Sequence, residues 1–413
     1  MKKFFLSFLT FMLLLCSLPY QVVLADELEL PAQSAIAVEA DTGKILYEKD
    51  SEKKRDVGGL STLLTTYLIF EAIHEKKLSL KDPIKLSEKA LALNDIEGAG
   101  TLPMEANQYT VEQLLTALLV GNSSTAALAL AEKVGGSEKS FVEKMKQKLS
   151  EWGIQSPHLI NATGLNTQTI SGDPDGKGDE NQLSAYDIAV IAKHLLQDFP
   201  EVTKYTSKPT ALFSNTQIEN PNLMLEGMPN YRSGVDGLRV SNSTKGGITF
   251  AASTTQNGIH MITVVLGVEA VDGDPYARFV ATSSLMNYVV RTFVSSIVVK
   301  EGDPYGKSKA TVMDGKSETV LAVAKKDFYI VEKQGSQAEP KIQFKSNQES
   351  FRAPVKSGTN LGKLHYTDPD KIGRGYLEDQ EPTVDMVAGR TIEKSFFLKV
   401  WWNEFVRYVN EKL

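Results

Sequence analysis

The stretch Arg55–Ile69, RDVGGLSTLLTTYLI, constrains this chain most. Leu60, Leu63, Leu64, Tyr67 and Leu68 recur at i, i+3, i+4, i+7 and i+8, which predicts a helix with one apolar face entering a core. Just upstream, Ser34–Tyr47 reads as a strand, an Asp41-Thr42-Gly43 turn and a second strand. A helix that enters the core straight after such a hairpin is a good seat for a nucleophile on its first turn. That chemistry needs a serine there and a base one turn later, so that proton and acceptor face each other. Here those positions hold Gly59 and Thr62. Glycine has no side chain and threonine is no base, so this helix is not equipped for that work.

With 413 residues the chain has room for two domains with sizeable cores. A formal net charge of −6 argues against nucleic acid or an anionic surface as a general partner, and Lys53-Lys54-Arg55 reads as a solvated loop. The five histidines, His74, His158, His194, His260 and His365, are dispersed. They show neither metal-ligand spacing nor a companion acid, so neither a zinc site nor a triad is expected. No phosphate loop or dinucleotide fingerprint occurs, and no cofactor is expected.

The first residues read as a targeting segment. Lys2 and Lys3 precede an apolar run from Phe4 to Leu18, and Val23 and Ala25 supply the small residues of a cleavage site. Residues 1–25 are therefore expected to be a signal peptide cut after Ala25, which exports the protein. Cys16 lies inside it, and Leu15 before it is too large for a lipoprotein signal. The mature chain then has no cysteine, and its stability rests on core burial alone.

Helices with a few strands are expected over residues 26–294. Tyr109–Val134 holds two helical runs hinged at Gly121-Asn122-Ser123-Ser124, with Thr110 and Gln113 as a capping box. Ser140–Leu149, Ser184–Leu196 and Phe279–Phe293 are also helical, and Thr169–Asn181 reads as a surface loop. Phe250–Thr255 and His260–Gly267 read as strands joined through Gln256-Asn257-Gly258. Residues 295–388 carry short strand-like runs, Thr319–Ala324, Phe328–Glu332, Lys341–Phe344 and Leu361–Tyr366, separated by Gly, Asp and Pro. They predict a small all-β domain. Over residues 389–413 one helical face gathers Phe397, Trp401, Trp402 and Phe405, while Lys399, Asn403, Glu404 and Arg407 take the other. That is the pattern of an amphipathic helix lying in a membrane interface, and charges break it too often for a span.

Three places would have to meet for catalysis: Gly59–Thr62, Asn122-Ser123-Ser124, and Asp236–Ser241 running into the Thr249–Ala252 strand. Around them Ala35–Asp50, Pro103–Val120, Ala126–Glu132, Asn161–Asn166 (NATGLN), Leu183–Ala189, Asn222–Leu238, Asp274–Tyr288 and Ile392–Leu413 carry a resemblance over essentially the whole mature chain. The chain resembles the low-molecular-mass penicillin-binding proteins, the D-alanyl-D-alanine carboxypeptidases of the streptococcal type. That resemblance implies an α+β fold: a β-lactamase/DD-peptidase-like domain with helices packed on an antiparallel sheet, then a small all-β domain and an amphipathic membrane helix.

The family's catalytic residues do not carry over. Its Ser-x-x-Lys motif falls on Gly59 to Thr62, its Ser-x-Asn motif on Asn122 to Ser124, and its Lys-Thr-Gly motif on Arg239, Val240 and Ser241. Losing the nucleophile alone costs on the order of a million-fold in a serine hydrolase. Ser61 is rotated about 200° from the missing position on a helix, away from a cleft. Ser51-Glu52-Lys53-Lys54 spells the first motif in a charged loop, and Lys356-Ser357-Gly358 imitates the third inside the β domain. What remains is a peptide-binding groove: Arg239 either pairs with a ligand carboxylate or is a solvated strand-end arginine, and Asn122 and Ser124 keep hydrogen-bonding capacity. The reading is an exported protein, attached to the outer face of the plasma membrane by its last helix. It binds a peptidoglycan stem peptide or a cell-wall enzyme without turnover. The alternative is an active serine-type D-alanyl-D-alanine carboxypeptidase trimming pentapeptides.

Overall fold

The computed structural model describes residues 28–96, 99, 102, 104–171 and 178–412. The expected signal peptide, its cleavage site and Cys16 lie outside the described residues. The hairpin read from the sequence is β1 (Ala32–Glu39) and β2 (Ile45–Lys49), turned at Gly43 with φ +77°. The next elements are the helices α1 (Thr62–His74), α2 (Val111–Leu119), α3 (Ser124–Gly135), α4 (Glu138–Glu151) and α5 (Ala185–Asp198). Three strands and a helix close the unit: β3 (Val235–Ser243), β4 (Gly247–Gln256), β5 (Ile259–Val268) and α6 (Ala277–Thr292).

The strands form one antiparallel sheet in the order β2-β1-β5-β4-β3. Strand alternation divides its side chains between two cores. Ile36, Val38, Ala251, Ile262 and Val264 face the large helical cluster that includes Leu60, Leu64, Leu115 and Ile188. Ala35, Ala37, Phe250, Ala252 and Val265 face Phe279, Leu285, Met286 and Val289 of α6. Covered on both faces, these strands read as nearly continuous apolar runs. Helix α1 departs from the one-faced expectation: Thr62 to Phe70 are buried all round. Its polar residues tolerate this because their hydroxyls donate to carbonyls, Thr65 to Ala162 at 2.7 Å and Thr66 to Thr62 at 2.8 Å. The expected capping box of Thr110 and Gln113 starts α2.

The second unit contains β6 (Phe293–Val299), β7 (Pro304–Met313), β8 (Thr319–Ala324), β9 (Phe328–Lys333), β10 (Lys341–Ser346), β11 (Phe351–Arg352), β12 (Asn360–Thr367) and β13 (Thr383–Ala388). They form a six-stranded sheet, β10-β12-β13-β8-β7-β11, and a β6-β9 pair. Residues 368–379 reach back to the first unit. Ile45 donates to Gly375 O and Leu377 to Gly43 O, both at 2.8 Å, so this segment hydrogen-bonds to the first hairpin. Lys44, 1% exposed, is held there by Asp368 at 2.8 Å and Val331 O at 2.7 Å. Tyr376 donates to the same Asp368. The last helix, α7 (Phe397–Lys412), meets the β domain through Glu404, which accepts from Arg352 at 2.6 Å. Phe397, Trp401 and Trp402 are 67, 62 and 58% exposed. No helix among the described residues is long and apolar enough to cross a membrane.

Two sequence readings need correction. Thr167–Ser171 is a short helix rather than loop, and Glu180 and Asn181 are buried, because their side chains bond to Asn166 and Ser61 of the first unit. Four histidines do have an acidic neighbour: His74 with Glu201, His158 with Asp179, His194 with Glu378 and His260 with Asp41. Most of these acids lie on other elements, which spacing along the chain does not disclose.

Glu378 joins the two units, at 2.8 Å from Lys193 and 3.0 Å from His194 on α5. His194 and Lys193 hold its carboxyl down at about 2, against an ordinary 4.5. A depressed acid stabilises fully above its unfolded value and loses that contribution as pH falls through the folded one. Glu378→Gln should therefore lower the thermal midpoint most above pH 4.5, and its deficit relative to the parent should shrink as pH approaches about 2. Thermal scans across that window check it.

Candidate functional site

The site is built on close backbone contact. Helix α1 opens with a 3-10 turn, Gly58–Ser61. Gly58 has φ +53°, and a Cβ there would stand 2.4 Å from Asn242 O of β3. The NATGLN turn presses on the same spot, for a Cβ at Gly164 would stand 2.3 Å from Gly58 O. Asn161 shapes that turn by accepting from the Gly164 amide at 2.7 Å and donating to Leu165 O at 2.7 Å.

The three stretches singled out in the sequence do meet. Gly59, Asn122, Ser124, Arg239, Val240 and Ser241 line one cleft of about 670 Å³, together with Asn166, Glu180 and Arg278. Asn122, at φ +54°, ties the α2–α3 loop to the strand edge by donating to Val240 O at 3.0 Å. Ser123, between the two outer positions, caps α3 by accepting from Ala126 N. Thr62 turns its hydroxyl onto Gly59 O at 2.6 Å and is buried. Ser61 is fully buried, donating to Gly58 O at 3.0 Å and accepting from Asn181 at 2.9 Å. It cannot stand in for the missing nucleophile.

Arg239 is not a solvated strand-end residue. It is 5% exposed and donates to Leu118 O at 2.6 Å, while its Nε is buried without a partner among the described residues. Burial lowers its guanidinium to about 10, so it stays charged at neutral pH. Arg278 on α6 is the cleft residue that sequence reading missed. Its Nη1 donates to Ser241 O at 2.7 Å and Thr249 O at 3.1 Å, bracing the β3 edge, and burial lowers it to about 10. An arginine inside the small and apolar run of α6 was its only signal. Glu180 was also missed. One of its oxygens accepts from Asn166 and from Thr244 N, both at 2.9 Å, and the other is buried unpartnered among the described residues. No histidine lines the cleft, and no group among the described residues is arranged to hold a metal.

The position of the absent side chain is itself occupied. The Gly59 amide donates to Ser241 Oγ at 2.7 Å, and a Cβ on Gly59 would lie 2.9 Å from that oxygen. The cleft thus offers guanidinium charge, amide hydrogen-bonding and a strand edge. Among the described residues it holds no hydroxyl paired with a base.

A helix opening, an interhelix loop and an inner strand edge around one cleft, with helices on both faces of an antiparallel sheet, define a penicillin-recognising serine-peptidase fold. The profile of the D-alanyl-D-alanine carboxypeptidase family matches residues 21–270, and that of the C-terminal domain of penicillin-binding protein 5 matches residues 293–394. The chain belongs to the D-alanyl-D-alanine carboxypeptidase family, whose members act in peptidoglycan metabolism. It is 28% identical to the carboxypeptidase DacF of Bacillus subtilis, over 82% of each chain. It is 24% identical to DacA of Escherichia coli K12, over 90% of this chain and 86% of that one. Among solved structures, it is similar to PBP3 of Streptococcus pneumoniae, a peptidoglycan synthesis regulatory factor. Identity is 45%, the TM-score is 0.85, and the match covers 89% of this chain and all of that one.

Gly59→Ser should cost about 1–2 kcal/mol, since the new Cβ displaces Ser241 Oγ and breaks its bond to the amide. Adding Ser241→Gly should recover most of that loss. Denaturant titrations of the single and double variants check both.

Proposed function

We propose that this protein is a member of its family that binds without turning over substrate. It is exported, attached to the outer face of the plasma membrane by α7, and holds a peptidoglycan stem peptide or a cell-wall enzyme in the cleft. The observation that carries the reading is Gly59. Gly59 carries no hydroxyl to receive an acyl group, and Ser61 and Thr62 turn theirs onto backbone carbonyls. The Ser241 hydroxyl that rests on the Gly59 amide donates to the Asn242 carbonyl rather than to a base. Arg239 and Arg278 supply cationic character suited to a peptide carboxylate, and Asn122 and the β3 edge supply hydrogen bonds for an extended backbone. The aromatic face of α7 supports attachment, because its polar residues Glu404 and Asn403 are turned to the β domain and its indoles to solvent.

A second reading, an active carboxypeptidase, is favoured by the resemblance of the whole chain to such enzymes. Covalent labelling with a fluorescent penicillin separates the two. No labelled band is expected under the binding reading, and a band stable to denaturation would overturn it. Removing residues 391–413 should move the protein from the membrane pellet to the soluble fraction. Continued sedimentation with membranes would contradict attachment by α7.

A further inference from the structure

The Gly59 amide sits at the opening of a helix, where no preceding turn offers it a carbonyl. Such an amide, half exposed beside a cleft, is the group a bound ligand's carbonyl or carboxylate oxygen would seek. Here it is already used. Ser241 Oγ accepts from it at 2.7 Å and donates to Asn242 O at 3.3 Å, so the hydroxyl is engaged on both sides. The serine cannot easily withdraw. Its backbone is paired with Thr249 in the sheet, and its carbonyl accepts from Arg278 Nη1 at 2.7 Å and from Thr249 Oγ1 at 3.1 Å. Among the described residues no charged side chain or imidazole is bonded to Ser241 Oγ, so none of them primes it as a nucleophile.

From this geometry we infer that Ser241 is a built-in occupant of the amide seat on Gly59, and that it limits the affinity of the cleft for peptides ending in a carbonyl-bearing group. This rests on the peptide-binding reading above and adds to it. A missing nucleophile explains the loss of turnover, whereas the capped amide sets how tightly an unreacted peptide is held and where it sits. A ligand either displaces the hydroxyl or binds along Arg239, Asn122 and the β3 edge alone. In the first case binding must break the Ser241–Gly59 bond, and in the second the ligand's terminal oxygen lacks one donor.

Two measurements on the full-length protein test the inference, and the first needs no ligand. Ser241→Ala and Ser241→Gly remove the acceptor at a half-exposed strand end. Hydrogen exchange of the Gly59 amide, followed by NMR, should then quicken by about tenfold or more while neighbouring core amides keep their rates. An unchanged Gly59 rate would overturn the cap. The second is calorimetric titration with diacetyl-L-lysyl-D-alanyl-D-alanine, for which Ser241→Gly should bind about fivefold tighter than the parent. Equal or weaker binding by the variant would overturn the claim that the hydroxyl competes with ligand. If neither parent nor variants bind this peptide although Gly59 exchange quickens, the peptide reading of the site fails and the cap stands.

Discussion

Backbone packed against backbone at the floor of the cleft is the constraint on which the rest depends. The Gly58–Gly59 turn touches the Gly164 turn on one side and the Asn242 carbonyl on the other, at separations that leave no room for side chains at Gly58 or Gly164. Three segments distant in sequence thereby meet backbone to backbone. Gly59 differs from these two glycines. Its backbone is ordinary, and what crowds it is a serine side chain across the cleft rather than a peptide group. A side chain at that position would have to push the Ser241 hydroxyl aside, whereas one at Gly58 or Gly164 would have to push backbone.

Around that floor the molecule spends buried polar groups on holding positions. Arg278 braces a strand end, Asn161 bends a turn, Asn122 ties a loop to a strand, and Asn181 reaches Ser61. Arg278, Asn161 and Asn181 are buried and Asn122 is half-buried, and each bonds to backbone carbonyls, amides or a hydroxyl, the condition under which buried polarity stabilises rather than costs. The second unit is fastened by the same device, since Lys44 bonds to Asp368 and Val331 O, and Tyr376 donates to the same Asp368. The cleft is thereby framed by backbone contacts and internally bonded polar groups.

Much of this was legible along the chain. The hairpin, α1, the α2–α3 hinge, the β4–β5 pair and the strand at Thr319–Ala324 all announce themselves, because their residues repeat at the period of the element they form. What periodicity could not show was burial on the second side. Thr62, Thr65 and Thr66 look like an exposed face of α1 until the NATGLN turn, α4 and α5 cover it. Glu180 and Asn181 sit in a stretch rich in Gly and Asp that reads as surface. Only their bonds to Asn166, Thr244 and Ser61 reveal that they belong to the site. The histidine–carboxylate pairs were invisible for the same reason.

By itself, the order of residues determined the kind of fold and the side chains available on the first turn of α1, since a glycine and a threonine supply neither nucleophile nor base themselves. The tertiary structure decided what fills the gap. Arg239 is enclosed rather than solvated, Arg278 braces the strand edge, and Ser241 Oγ rests on the Gly59 amide from a strand about 180 residues further along the chain. Covalent identity is local and can be read from one position. Partnership between a hydroxyl and an amide depends on which strand edge the fold brings to within hydrogen-bonding distance, and only the packed chain settles that.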